Sequence, residues 1–243
     1  MRLTRVHVDG PLSVGARISV GGTAANHILR VLRLRASDAL IVFDGLGGEY
    51  AANIVEARKD TVLVDVRDYS DIDRESTLPL TLAQGVSRGE RMDWVIQKAT
   101  ELGVTRIIPI LTERSVVKLD AAQAEKKHQH WRGIAIAACE QSGRNRVPQL
   151  DLPVKLHDFL AQTPREGARV LLSPTGTLRL TDLPSPQAGL IVLIGPEGGL
   201  SDVEQESALR VGFNPIRLGP RILRTETAAI AALTIMQQEF GDL

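Results

Sequence analysis

Hydrophobic positions follow two rhythms along this chain. Up to residue 72 they fall in the near-alternating pattern of half-buried strands: ARISV (16–20), ALIVFDG (39–45), GEYAANIVEA (48–57) and TVLVDVRDY (61–69). Gly, Asp and Asn punctuate the gaps, and DGLGGEY (44–50) reads as a hairpin connection. One segment departs from alternation. GTAANHILRVLRL (22–34) spaces Ile28, Val31 and Leu32 as a short helix would. The pattern predicts a small barrel-like domain over residues 1–72.

DIDRESTLP (71–79) is polar, ends in proline and reads as a linker. Beyond it, strand-like and helix-like segments alternate. Strand LTLAQGV (80–86) precedes a helix over 89–102, in which Met92, Val95, Ile96, Ala99 and Leu102 share one face and Gly103 ends the run. Strand RIIPIL (106–111) leads to a long helix, 120–141, with Trp131, Ile134, Ala135 and Ala138 inward. A short helix near 155–161 and strands ARVLLS (168–173) and GLIVLIG (189–195) follow. Ser201 and Glu204 form an S-x-x-E capping box, so a helix starts there. Its Val203, Ala208, Leu209 and Val211 are expected to face the sheet, and Gly212 to close it. Strand PIRLG (215–219) and a helix over 225–239, with Thr225 as its cap, end the chain. Residues 228–233 are apolar on every side, so that helix is expected to be buried all round, in a core or against a second subunit. Alternation of this kind implies a mainly parallel, covered sheet and an α/β fold for residues 73–243.

Composition narrows the picture. No apolar run approaches the roughly 20 residues that cross a bilayer, and the start MRLTRVHVDG lacks a signal-peptide core. A single cysteine, Cys139, excludes an internal disulfide framework and suits a reducing cytoplasm. His128 and His130 stand two apart in a helix and do not share a face, so no metal site is expected. Formal net charge is zero, yet LRVLRLR (29–35) and SGRNR (142–146) concentrate arginine. Such runs suit selective RNA contact, or are ordinary solvated surface.

Chemistry concentrates in LIVLIGPEGGLSDVE (190–204) and IRLGPRILRTETAAIAAL (216–233). Each is a strand that stops at a Gly/Pro turn and restarts as a helix, at the sheet edge where open α/β folds bind ligands. Gly195, Gly198 and Gly199 permit close backbone approach, which suits a nucleoside. G-x-G-x-x-G and G-K-[ST] are both missing, which disfavours a phosphate ligand. A tight strand-to-helix turn is the plain alternative for GPEGG, and a surface ion pair for Arg224 with Glu226.

HILRVLRLRASDAL, GVSRGERMDWVIQKATELGV, ACEQSGRNRVPQ, LIGPEGGLSDVE and LGPRILRTETAA, in that order, resemble the bacterial 16S rRNA uracil-N3 methyltransferase family of the SPOUT superfamily. The resemblance covers essentially the whole chain. It implies an N-terminal PUA-like β-barrel, a C-terminal SPOUT α/β domain with a deep trefoil knot, and a homodimer with S-adenosylmethionine held near the subunit interface. The partner it implies is 16S rRNA of the small ribosomal subunit. Carried over, the cofactor loops span Leu172, Ser173 and Pro174, then Ile194, Gly195, Pro196, Gly198 and Gly199. The last loop supplies Leu218, Gly219, Ile222, Leu223, Thr227 and Ala228.

Methylation at N3 requires an unpaired base and loss of the N3 proton. Arg224 is the first candidate to stabilise the uracil anion, Glu226 to orient that arginine or take the proton, and Glu197 a weaker alternative. RNA contacts are expected from His27, Arg30, Arg33 and Arg35 in the first domain, and from Arg88, Arg91, Arg144 and Arg146 in the second. Two other readings stay open: the same fold acting on tRNA or a ribose hydroxyl, and a non-catalytic RNA-binding assembly factor.

Overall fold

The computed structural model describes residues 3–115 and 117–243. They form two compact units. One holds the chain through Glu75 together with Ile136–Val147; the other holds Ser76–Ala135 and Pro148–Leu243.

The first unit contains β1 (Arg5–His7), β2 (Arg17–Val20), α1 (Gly22–Asn26), β3 (Ala39–Phe43), β4 (Glu49–Ala57) and β5 (Val62–Ser70). These strands make one sheet in the order β1-β3-β4-β5-β2, antiparallel except where β1 joins β3. Register shifts between Ala51 and Ala52, and between Ile54 and Glu56, bend β4 against β5. Alternation does the sorting: Val62, Val64 and Val66 point inward and meet Ile28, Leu40, Val42 and Ile54 in one core. The helix expected over 22–34 is shorter. After α1 the chain makes a π-helical turn over His27–Val31, then Arg33 and Ser37 take left-handed backbone at φ 56° and 76°. β1 went unread because three residues are too few to show a period.

A buried polar network closes this unit. Arg5 is ion-paired with Glu49 and donates to the Arg144 carbonyl (3.1 Å) and to Asn145. Arg74 donates to Glu49 (3.2 Å) and to the Gly143 carbonyl (3.0 Å). Asn145 donates to the Ile72 carbonyl (2.7 Å). Residues 72–75, read as part of a linker, are therefore pinned. Burial alone would raise the Glu49 carboxyl, but Arg5 and Arg74 outweigh it and hold it below the ordinary carboxylate value.

The second unit contains β6 (Leu80–Gly85), α2 (Glu90–Glu101), β7 (Arg106–Leu111), α3 (Ala121–Ser142, whose last turns group with the first unit) and the short β8 (Gln149–Leu150) and β9 (Val154–Lys155). Then come α4 (Leu156–Gln162), β10 (Ala168–Leu172), β11 (Leu190–Ile194), α5 (Asp202–Arg210), β12 (Asn214–Ile216) and α6 (Thr225–Phe240). The sheet runs β12-β10-β11-β6-β7-β8, with β9 also on β7, and every pairing is parallel.

Two expectations change here. Val203 and Leu209 are 72% and 43% exposed, because nine-residue α5 buries only Ala208, while Leu200 and Phe213 beyond its ends complete the seam. β12 stops at Ile216, so Arg217 and Leu218 belong to a loop. Residues 228–233 of α6 are all buried or half-buried within this chain, with Ala229, Ala232 and Leu233 inside, while Thr227, Thr234 and Ile235 beside the run are exposed.

Candidate functional site

Parallel strands put all their C-terminal ends on one sheet edge. The loops after the neighbouring strands β10, β11 and β12 therefore open side by side, and together they line a cavity of about 670 Å³, within the usual range for a small-molecule site. Local chemistry shapes each loop. At Gly199 φ is +68° and at Gly219 +84°, the left-handed backbone that glycine adopts without a Cβ clash. A Cβ on Gly85, at the end of β6, would lie 2.4 Å from the Pro196 nitrogen, so the turn after β11 packs directly on that backbone.

Several contacts hold the β11 loop. Ser201 accepts from the Glu204 N–H (3.3 Å) and Glu204 accepts from the Ser201 N–H (2.9 Å), the reciprocal cap read from the sequence. Arg114 donates to the Gly198 and Leu200 carbonyls (3.4 and 3.3 Å). Thr225 is not the cap of α6; Arg224 occupies that position. Instead the Thr225 hydroxyl donates to the Gly195 carbonyl (2.7 Å) and accepts from buried Gln84 (2.9 Å), tying the helix start to the loop.

A charged cluster stands at the cavity wall. Glu197 accepts from Arg91 Nη1 (2.6 Å) and from the Arg88 N–H (2.9 Å). Arg91 Nε also lies 3.9 Å from Glu226 Oε1. Burial raises the Glu197 carboxyl, yet the Arg88 and Glu197 N–H groups and the Arg91 guanidinium bring it below its ordinary value. Glu226 Oε2 is buried and has no hydrogen-bond partner among the described residues. Asp93, two residues from Arg91, accepts instead from Trp131 (3.1 Å) and pairs with His130 (2.8 Å).

Arg224, Glu226 and Glu197 all line the cavity. So do Leu172, Ser173, Pro174, Ile194, Gly195, Pro196, Gly198, Gly199, Leu218, Gly219, Ile222, Leu223 and Ala228. Thr227 is outside the lining and exposed, since two helical steps past Thr225 turn it about 200° away. Sequence reasoning passed over Arg114, Gln205, Arg217 and Arg221, which also line it. The spacing R-x₃-R-x₂-R over 217–224 was a usable signal for two of these.

The expected RNA-binding residues scatter. Arg30, Arg33, Arg35, Arg88 and Arg146 are exposed, His27 half-buried, and Arg30 lies 3.6 Å from Asp60. Arg91 is engaged at the cavity. Arg144 is a correction: its side chain is 4% exposed and ion-paired with Glu75, so it holds the fold and presents no surface to a partner.

The sequence profile of a family described as RNA methyltransferase domain matches residues 74–237, and that of the RNA methyltransferase PUA domain matches 20–67. Ribosomal RNA small subunit methyltransferase E of Buchnera aphidicola subsp. Schizaphis graminum is 35% identical over 100% of this chain and 98% of its own. The crystal structure of ribosomal RNA small subunit methyltransferase E from Neisseria gonorrhoeae, bound to S-adenosyl methionine, superposes with a TM-score of 0.93 at 36% identity and full coverage of both chains. A methyltransferase of Legionella pneumophila in complex with the same cofactor gives 0.97 at 40% identity, again with full coverage.

Proposed function

Since the chain belongs to the ribosomal RNA small subunit methyltransferase E family, we propose that it transfers a methyl group from S-adenosylmethionine to N3 of a uridine in 16S rRNA. The observation that carries this reading is the single cavity made by the β10, β11 and β12 loops, with Arg224 and Glu226 in its wall.

The lining suits the cofactor. Apolar Leu172, Ile194, Leu218 and Leu223 offer faces for an adenine, and glycine turns leave main-chain groups within reach of its edges. Bound there, S-adenosylmethionine supplies an electrophilic methyl group on a sulfonium. The protein must then place uracil N3 in line, remove its proton and shelter the charge that develops. Arg224 is exposed at the cavity, and its side chain has no hydrogen-bond or ion-pair partner among the described residues, so its guanidinium is available to the uracil oxygens as the base becomes anionic. Glu226 Oε2, buried and unpartnered, takes the N3 proton. Glu197 is already committed to Arg91 and Arg88, so it orients this cluster and is not the base.

Residues 20–67 serve as the RNA-binding PUA-like domain and residues 74–237 as the methyltransferase domain. In the former, exposed Arg30, Arg33 and Arg35 are the expected phosphate contacts, Arg33 on left-handed backbone. The exposed face of α6 with Thr227, Thr234 and Ile235 is the seam for a second copy of the chain in a cytoplasmic homodimer.

The experiment is direct. Small-subunit RNA from cells lacking this protein is methylated in vitro with wild type, Arg224→Ala and Glu226→Gln, and the modified base is mapped. Each variant is expected to keep cofactor binding and to lose on the order of a hundredfold in transfer rate. Methylation at a position other than uracil N3, or full activity of both variants, overturns the assignment.

A further inference from the structure

Charge is unevenly spent around the cavity. Its lining holds five arginines, Arg91, Arg114, Arg217, Arg221 and Arg224, against two glutamates, Glu197 and Glu226. Both carboxylates stand next to Arg91, and Arg114 is occupied by the Gly198 and Leu200 carbonyls. Arg217, Arg221 and Arg224 are exposed, and among the described residues none has a side-chain hydrogen bond or ion pair. A chain of formal net charge zero thus leaves three uncompensated guanidiniums on one eight-residue loop.

The cofactor does not call for them. S-adenosylmethionine carries a sulfonium, an ammonium and one carboxylate, so it is itself cationic, and at most one arginine finds an anion on it. Arg224 is already required at the base. The remaining positive charge suits a polyanion.

We propose that Arg217 and Arg221 form an anion-holding rim at the pocket mouth, binding backbone phosphates that flank the methylated nucleotide of the RNA substrate. The inference rests on the RNA methyltransferase reading above and deepens it. Phosphate contacts fix register without reading sequence, and a nucleotide leaving its stack needs its neighbours held. A rim at the mouth holds the strand on both sides of the displaced nucleotide while the cavity takes the base alone. Arginine's planar fork suits paired phosphate oxygens.

The test compares wild type with Arg217→Ala/Arg221→Ala, using small-subunit ribosomal RNA from cells lacking this protein. Affinity is measured across salt, with S-adenosylhomocysteine binding measured alongside by calorimetry. Two lost phosphate contacts should flatten the slope of log affinity against log salt by about 1.5 and weaken binding roughly ten- to a hundredfold at moderate salt. The KM for RNA rises accordingly, S-adenosylhomocysteine affinity is unchanged, and Arg217→Lys/Arg221→Lys restores the slope. An unchanged slope overturns the rim. So does a parallel fall in S-adenosylhomocysteine binding, which would assign the pair to the cofactor. A shift in association state at constant slope overturns it too, in favour of carboxylates on a second copy. Should wild type bind S-adenosylhomocysteine but neither bind nor methylate the RNA, the functional reading itself fails, and that shows before any variant is made.

Discussion

In the N-terminal unit Arg5 and Arg144 lie inside, at 7% and 4% exposure, each matched to a carboxylate, Glu49 and Glu75. In the second unit Arg217, Arg221 and Arg224 line a cavity, exposed and matched to no carboxylate among the described residues. Arg144 on one side and Arg221 and Arg224 on the other come from segments that look alike in sequence: SGRNR and LGPRILR are both short, glycine-containing and rich in arginine. What separates them is which acids the fold brings within reach. Glu75 stands 69 residues from Arg144, and Glu49 44 from Arg5. A desolvated guanidinium with a carboxylate is a structural member, whereas one in water with no mate is free to take an anion.

That contrast can be broken by experiment. The largest effect belongs to Arg144→Ala, which leaves Glu75 uncompensated in a buried network and is expected to cost about 4 kcal/mol of stability by denaturant unfolding. Loss of RNA affinity with stability intact would instead return Arg144 to the binding surface. Glu49→Gln comes next, at about 2 kcal/mol at neutral pH. Because Arg5 and Arg74 depress the Glu49 carboxyl in the folded state, its contribution is full above the unfolded value, about 4.3, and is lost as pH falls through the lower folded one. The gap between the denaturation midpoints of wild type and Glu49→Gln should therefore begin to close once pH falls below the unfolded value and vanish below the folded one; a gap that stays constant would remove Glu49 from the network. Smallest is the stability change of Arg217→Ala/Arg221→Ala, expected within about 0.5 kcal/mol. A larger loss would show that the rim is also part of the scaffold.

Much of the fold was legible because its periods are strong. Val62, Val64 and Val66 alternate, and Met92, Val95, Ile96 and Ala99 recur at helical spacing, so strand and helix followed from which face meets the core. The β11 loop was legible through the Ser201/Glu204 box, a contact four residues wide. Contacts of long range were not. Thr225 looked like a local cap, but its partners are Gly195 and Gln84, 30 and 141 residues away. Arg91 reaches Glu197 across 106 residues, and no local pattern carries that information. Val203 and Leu209 mislead for a related reason: apolar character names a candidate for burial, and the length of α5 and its packing on neighbours settle which candidates succeed.

Local rules, then, were enough for elements, turns and glycine positions, since steric limits on the backbone and the period of each element act over a few residues. Electrostatic roles needed the folded chain. Whether a charged side chain ends as a strut or as a hand for a ligand depends on opposite charges and on water around it, and folding draws both from distant parts of the sequence. The same residue type is therefore buried at position 144 and free at position 221.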